Sequence, residues 1–115
     1  MINLAEYLLR EFKEETPEKS VKFFRSHGGY GYVIWLTLLL KYFKKETLPI
    51  EELVLSAEKY ASRRTVVDFI NKSSDGGFLV KIISNTDRRK VFIEPSSLTI
   101  SEYSYWAAKF IDNVK

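Results

Sequence analysis

Between Ser62 and Glu94 the chain passes from a capped basic segment into two short apolar runs separated by a charged loop. The order is Ser62-Arg63-Arg64-Thr65-Val66, then Gly77-Phe78-Leu79-Val80-Lys81-Ile82-Ile83, then Asn85-Thr86-Asp87-Arg88-Arg89-Lys90, then Val91-Phe92-Ile93-Glu94. Ser62 is a suitable N-cap for a helix whose inward residues are Val66, Phe69 and Ile70. That helix leaves Arg63, Arg64, Asp68, Asn71 and Lys72 outside. Asp75-Gly76-Gly77 then turns the chain into a ribbon whose tip carries three consecutive cations, Arg88, Arg89 and Lys90.

Charge follows the same boundary. The whole chain of 115 residues carries a formal +3. Residues 1–58 hold eight Lys/Arg and nine Asp/Glu, a net of −1, and residues 91–115 hold two against three, again −1. Residues 59–90 hold eight (Lys59, Arg63, Arg64, Lys72, Lys81, Arg88, Arg89, Lys90) against three (Asp68, Asp75, Asp87), a net of +5. A charge cluster alone is ordinarily a solvated face. Coinciding with a helix and a ribbon, it is what a winged helix-turn-helix needs to hold a duplex. The helix suits the major groove, and the charged loop suits the backbone or minor groove.

The remaining segments read as helices. Ile2 to Glu14 has apolar residues at Ile2, Ala5, Leu9 and Phe12, with Leu4 and Leu8 widening the face. After Thr16-Pro17, a short helix from Glu18 to about Ser26 carries Val21, Phe23 and Phe24. His27-Gly28-Gly29-Tyr30-Gly31 reads as a break. Tyr32 to Lys45 is apolar on nearly every side and is expected to be the central buried helix. Pro49, followed by Glu51 and Glu52, opens a helix reaching about Tyr60, with Ile50, Leu53, Val54 and Ala57 inward. With the Ser62 helix it forms the helix-turn-helix unit.

Thr99 to Lys115 places Ile100, Tyr103, Ala107, Phe110 and Val114 on a heptad seam. Seams at both termini predict a homodimer, the alternative being that they pack on each other within one monomer. The expected division is residues 1–26 as N-terminal dimerisation helices, 32–95 as the winged-helix core, and 99–115 as the C-terminal dimerisation helix. The fold class is mainly α with a small β-hairpin wing.

Ser62 to Glu94 resembles the reading head of the MarR family of bacterial transcription regulators. The matching elements are Ser62 and Thr65 at the helix start, Gly77-Phe78-Leu79 opening the wing, and Asp87-Arg88-Arg89 ten residues beyond that glycine. The resemblance implies that Asp87 and Arg89 brace the loop tip while Arg88 reaches the minor groove or backbone. It also implies a homodimer joined through its terminal helices and a pseudo-palindromic DNA site. The chain departs from the family in three places. It is short, Asn71 to Gly77 looks like a lengthened turn, and Pro95-Ser96-Ser97 stands where the family has Leu-Thr and a following Gly.

The candidate DNA contacts are therefore Ser62, Arg63, Arg64, Thr65, Asn71, Lys72, Arg88, Arg89 and Lys90. Arg63 and Arg64 stand where base edges are commonly reached, and Thr65 and Asn71 are secondary contacts. The rival reading is a winged-helix protein-interaction module without DNA binding.

Other constellations point away from enzymes and cofactors. The absence of cysteine removes disulfides and thiolate metal sites, and one histidine makes neither a histidine-rich metal site nor a conventional triad. His27-Gly28-Gly29-Tyr30-Gly31 lacks the Lys-Ser/Thr of a P-loop. Glu14-Glu15 and Glu51-Glu52 diverge around their helices and do not suit acid/base work. Tyr30, Tyr32, Trp35, Tyr42, Phe43, Tyr103, Tyr105 and Trp106 are candidates to line a pocket for a small planar aromatic effector. No signal peptide or membrane span is read, so a cytoplasmic protein is expected.

Overall fold

The computed structural model describes residues 1–13, 17–87 and 89–114. The Glu14-Glu15 pair, Thr16, Arg88, Lys115 and the side chains of Phe12 and Val114 lie outside the described residues. The elements run α1 (Ile2–Lys13), α2 (Lys19–Arg25), α3 (Gly28–Phe43), α4 (Ile50–Ala57), α5 (Arg63–Asp75), β1 (Leu79–Ile83), β2 (Val91–Pro95) and α6 (Ser97–Val114). The strands pair antiparallel in the register Leu79↔Pro95 to Ile83↔Val91. None of the described helices is long and apolar enough to cross a membrane.

The core forms where α2, α3, α4, α5 and the base of the ribbon meet. Phe24, Ile34, Trp35, Leu53, Val66 and Ile70 are fully enclosed there, and burying side chains of this size supplies the main drive to fold. A short extension precedes α4. Pro49 bridges Phe92, and the Ile93 N–H donates to the Leu48 carbonyl at 2.8 Å. This contact gives β2 a second neighbour and seats the wing against the helix-turn-helix. A two-residue bridge carries no periodicity, so the sequence pattern does not show it.

Three expectations are corrected. The glycine run after His27 is not a break beyond its first member. Gly28 alone turns at φ +73, and α3 continues through Gly29 and Gly31. A Cβ on Gly31 would lie 2.5 Å from the Phe24 carbonyl oxygen, so this glycine serves the close crossing of α2 and α3. Next, α3 is buried along one face only. Gly31, Ile34, Trp35, Leu38 and Leu39 point inward, while Tyr32, Leu40, Tyr42 and Phe43 are exposed, because the chain packs other elements on one side of it.

Within the chain α2 packs into the core, with Ser20, Val21 and Phe24 entirely enclosed. Lastly, the extra residues between Asn71 and Gly77 extend the helix rather than the turn. Here α5 runs to Asp75 and closes with a Schellman cap, Phe78 N–H to Ser73 carbonyl and Gly77 N–H to Ser74 carbonyl. Gly77 supplies the left-handed residue at φ +79.

The terminal helices meet at a polar junction. Glu11 of α1 accepts from the Trp106 indole of α6 at 2.7 Å and also pairs with Arg25 of α2. The Arg25 guanidinium stands over the Trp106 ring, and Tyr7 meets Phe110 edge-on. Burial pushes the Tyr7 phenol up to about 12, assisted by the Glu11 carboxylate. A second carboxylate, Glu102 of α6, accepts from the Lys19 and Ser20 N–H groups and from the Ser20 hydroxyl. It thus satisfies orphan donors at the start of α2, where negative charge is favoured.

Candidate nucleic-acid interface

The N-terminus of α5 is built by its cap. Ser62 stands at φ −63, ψ 155 and its Oγ accepts from the Thr65 N–H at 3.2 Å. The Ser62 hydroxyl also donates to Thr65 Oγ1 at 2.9 Å. This fixes the first turn of α5, so Arg63 and Arg64 project from a defined place. Val66, Phe69, Ile70 and Ser73 bury the opposite side of the helix.

All eight described candidates for DNA contact are exposed: Ser62, Arg63, Arg64, Thr65, Asn71, Lys72, Arg89 and Lys90. They differ in what they touch. Arg63 is held by α4, its Nη1 and Nη2 donating to the two oxygens of Glu51 at 2.6 and 2.7 Å. The pair raises the Arg63 guanidinium above its ordinary range and holds the Glu51 carboxyl below its own, chiefly through these hydrogen bonds. Arg64, one position on, makes no such pair among the described residues. Asn71 accepts at Oδ1 from Lys81 Nζ at 2.5 Å, which ties the second half of α5 to β1.

At the wing tip, Asp87 Oδ1 accepts from the Arg89 N–H at 3.0 Å and from Arg89 Nε at 3.4 Å. Ser84 Oγ accepts from the N–H groups of Thr86 and Asp87, and the Lys90 N–H donates to the Asp87 carbonyl. A carboxylate so placed folds the loop back on itself and leaves the guanidinium largely in solvent, with the Arg89 side chain 93% exposed.

The base of the wing is anchored from two sides. Phe78 stacks on Phe23 of α2 at 4.3 Å. Thr99 donates its hydroxyl to the Phe78 carbonyl at 2.7 Å, and its N–H is capped by Ser96. The Ser96 substitution noted in the sequence therefore starts α6 and fastens it to the wing. Sequence reasoning found the cap and the loop carboxylate because both act within a few residues. It missed Glu51 and Lys81 as partners, which only the crossing of α4 and α5 and the lie of the ribbon bring into reach.

The eight aromatics proposed for an effector pocket do not line one space. Tyr32, Trp35, Phe43, Tyr103 and Trp106 form a connected cluster, and the fully buried Trp35 keeps its indole N–H without a partner among the described residues. Tyr30 packs instead on Phe69, and Tyr105 is 65% exposed. Tyr42 meets Phe43 edge-on, and the two help line a cavity of about 360 Å³ with Leu38, Lys41 and Ile93. Among the described residues no group of three or more His, Asp or Glu side chains is placed to hold a metal ion.

No family model matches the sequence, and no curated protein matches it. Among solved structures the chain is similar to the heme sensor protein PefR in complex with heme and carbon monoxide. The TM-score is 0.56 at 14% identity, over 98% of this chain and 75% of that one. PefR from Streptococcus agalactiae in complex with heme gives 0.55 at 14%, over 98% and 74%. Heme-free PefR gives 0.51 at 13%, over 100% of both chains. Identity this low establishes fold alone: six helices and an antiparallel hairpin arranged as a winged helix-turn-helix.

Proposed function

We propose that the chain is a MarR-like transcriptional regulator that binds duplex DNA as a homodimer. The observation that carries this reading is where the one basic segment lies. Apart from Lys59, its described cations ride on the exposed side of α5 and on a wing fastened to α5 by Lys81 and Asn71. In this reading Lys72, Arg89 and Lys90 neutralise phosphates, which gives affinity, while Arg64 with Thr65 reads base edges. Arg88 at the wing tip contributes a further cation to the backbone or minor groove. A protein-interaction module has no need of such a concentration of cations on one helix face and one loop.

Fluorescence anisotropy of a labelled generic duplex, titrated at 50 and 200 mM salt, tests the reading. Affinity is expected to fall about 10³–10⁵-fold between the two, as for a protein contacting 6–10 phosphates. No binding at the lower salt would overturn it in favour of the protein-interaction reading.

Heme does not transfer to this chain with the fold. The lone histidine packs its ring against Phe23 and Phe69, at 4.9 and 4.8 Å between centroids, and sets Nδ1 2.7 Å from the Phe23 carbonyl oxygen. The ring is half-buried, and at 14% identity the bound heme is a property of those neighbours alone. The family reading rests on the placement of the cations and does not require it.

A further inference from the structure

We propose that Glu51 is an intramolecular stand-in for a DNA phosphate, holding Arg63 back from duplexes of indifferent sequence. The proposal rests on the DNA-binding reading and adds a specificity-determining residue to it. Arg63 opens the recognition helix, where a guanidinium is best placed to reach a groove or a phosphate. Its two terminal nitrogens are both committed to Glu51, at 2.6 and 2.7 Å. A carboxylate and a phosphate accept from the same face of the guanidinium fork, in the same bidentate geometry. One displaces the other; they do not add.

The surroundings favour a latch that opens. Both side chains are more than half exposed, at 56% and 55%, so the pair forms without burial and separates without leaving a charge enclosed. Glu51 lies in the first turn of α4, whose helix dipole keeps the carboxylate charged when Arg63 departs. The neighbouring carboxylate is placed otherwise: Glu52 pairs with Lys41 of α3. Arg64, with no ion pair among the described residues, is free to engage any duplex. Arg63 joins only where the total of contacts outweighs Glu51. Indifferent DNA is thereby held with one phosphate contact fewer than the cations of the head would allow.

The test uses the whole chain, a labelled duplex of generic sequence, and salt titrations of wild type, Glu51→Gln, Glu52→Gln, Arg63→Ala and the Glu51→Gln/Arg63→Ala double variant. Glu51→Gln is expected to tighten generic binding about two- to fivefold at 50 mM salt, the range of an exposed ion pair. It should also steepen log K against log salt by about 0.9, one added phosphate. Glu52→Gln removes the same charge and should leave the slope unchanged. In the Arg63→Ala background, Glu51→Gln should no longer change the slope.

An unchanged slope in Glu51→Gln, the same slope change in Glu52→Gln, or weaker binding by Glu51→Gln would each overturn the proposal while DNA binding itself stands. Absence of duplex binding by wild type and all variants would remove the DNA-binding reading and this proposal with it. Thermal melts of each variant show whether a loss of binding comes from loss of fold.

Discussion

Gly31 shows how much one hydrogen atom in place of a methyl group decides. It lies inside α3, where glycine is otherwise unfavourable, yet a Cβ there would meet the Phe24 backbone oxygen at 2.5 Å. Backbone cannot rotate away as a side chain end can, so α2 and α3 would have to separate. Gly31→Ala is expected to lower stability by about 1–3 kcal/mol, as overpacking does, measured by denaturant melts. Gly29→Ala is the control, since its nearest neighbour is the Tyr60 ring at 3.7 Å. That substitution should be neutral or stabilising, and equal losses at both positions would rule out the close-crossing explanation. Nothing local distinguishes these two glycines in the sequence, and both read as parts of one break. The Ser62 cap was legible because donor and acceptor stand three residues apart, whereas the Glu51–Arg63 pair spans twelve residues and two helices.

Among the elements, α2 depends most on its neighbours. Its seven residues are too few to hold a helix unaided, and Glu18 at its N-cap makes no side-chain cap bond. Glu102, reaching across from α6, supplies that role with three hydrogen bonds. Glu102→Ala is therefore expected to cost about 1–2 kcal/mol, the range for losing a helix cap. A Glu102→Gln variant keeps the shape and one accepting oxygen but sets an amide nitrogen in place of the other, so it should lose less. Equal losses would mean that the retained acceptor contributes nothing to the cap. Because α2 also stacks Phe23 on Phe78 at the foot of the wing, this junction links α6 to the wing through packed rings.

At the scale of the whole chain the molecule is elongated, 50 × 28 × 22 Å. The two terminal seams have different fates. On α6 two of the heptad residues turn inward, Tyr103 against Trp35 and Phe110 against Tyr7. On α1 the face that meets the chain is Leu4, Tyr7 and Glu11, while Ile2 and Leu9 remain 74% and 56% exposed. Ile111 and Tyr105 of α6 are exposed as well. These uncovered apolar residues are what the proposed homodimer would bury. If α1 contributes to a dimer seam, wild type should have twice the chain mass in light scattering, and Leu9→Glu should shift it to monomer without lowering helical content. A monomeric wild type at high micromolar concentration would leave the seam without a partner copy and end that reading.

Helix order, the capped basic helix, the hairpin and the concentration of positive charge in one quarter of the chain were legible from the residues alone. Those features depend on residues close enough in the chain to share a turn, a strand or a loop. Tertiary structure decided which apolar face each helix buries, why α3 runs through its glycines, and how Leu48 and Pro49 extend the ribbon. It also decided that one of the two arginines opening α5 is bound to a carboxylate. These depend on the angle and distance at which separate elements cross, which side-chain periodicity along one element does not encode.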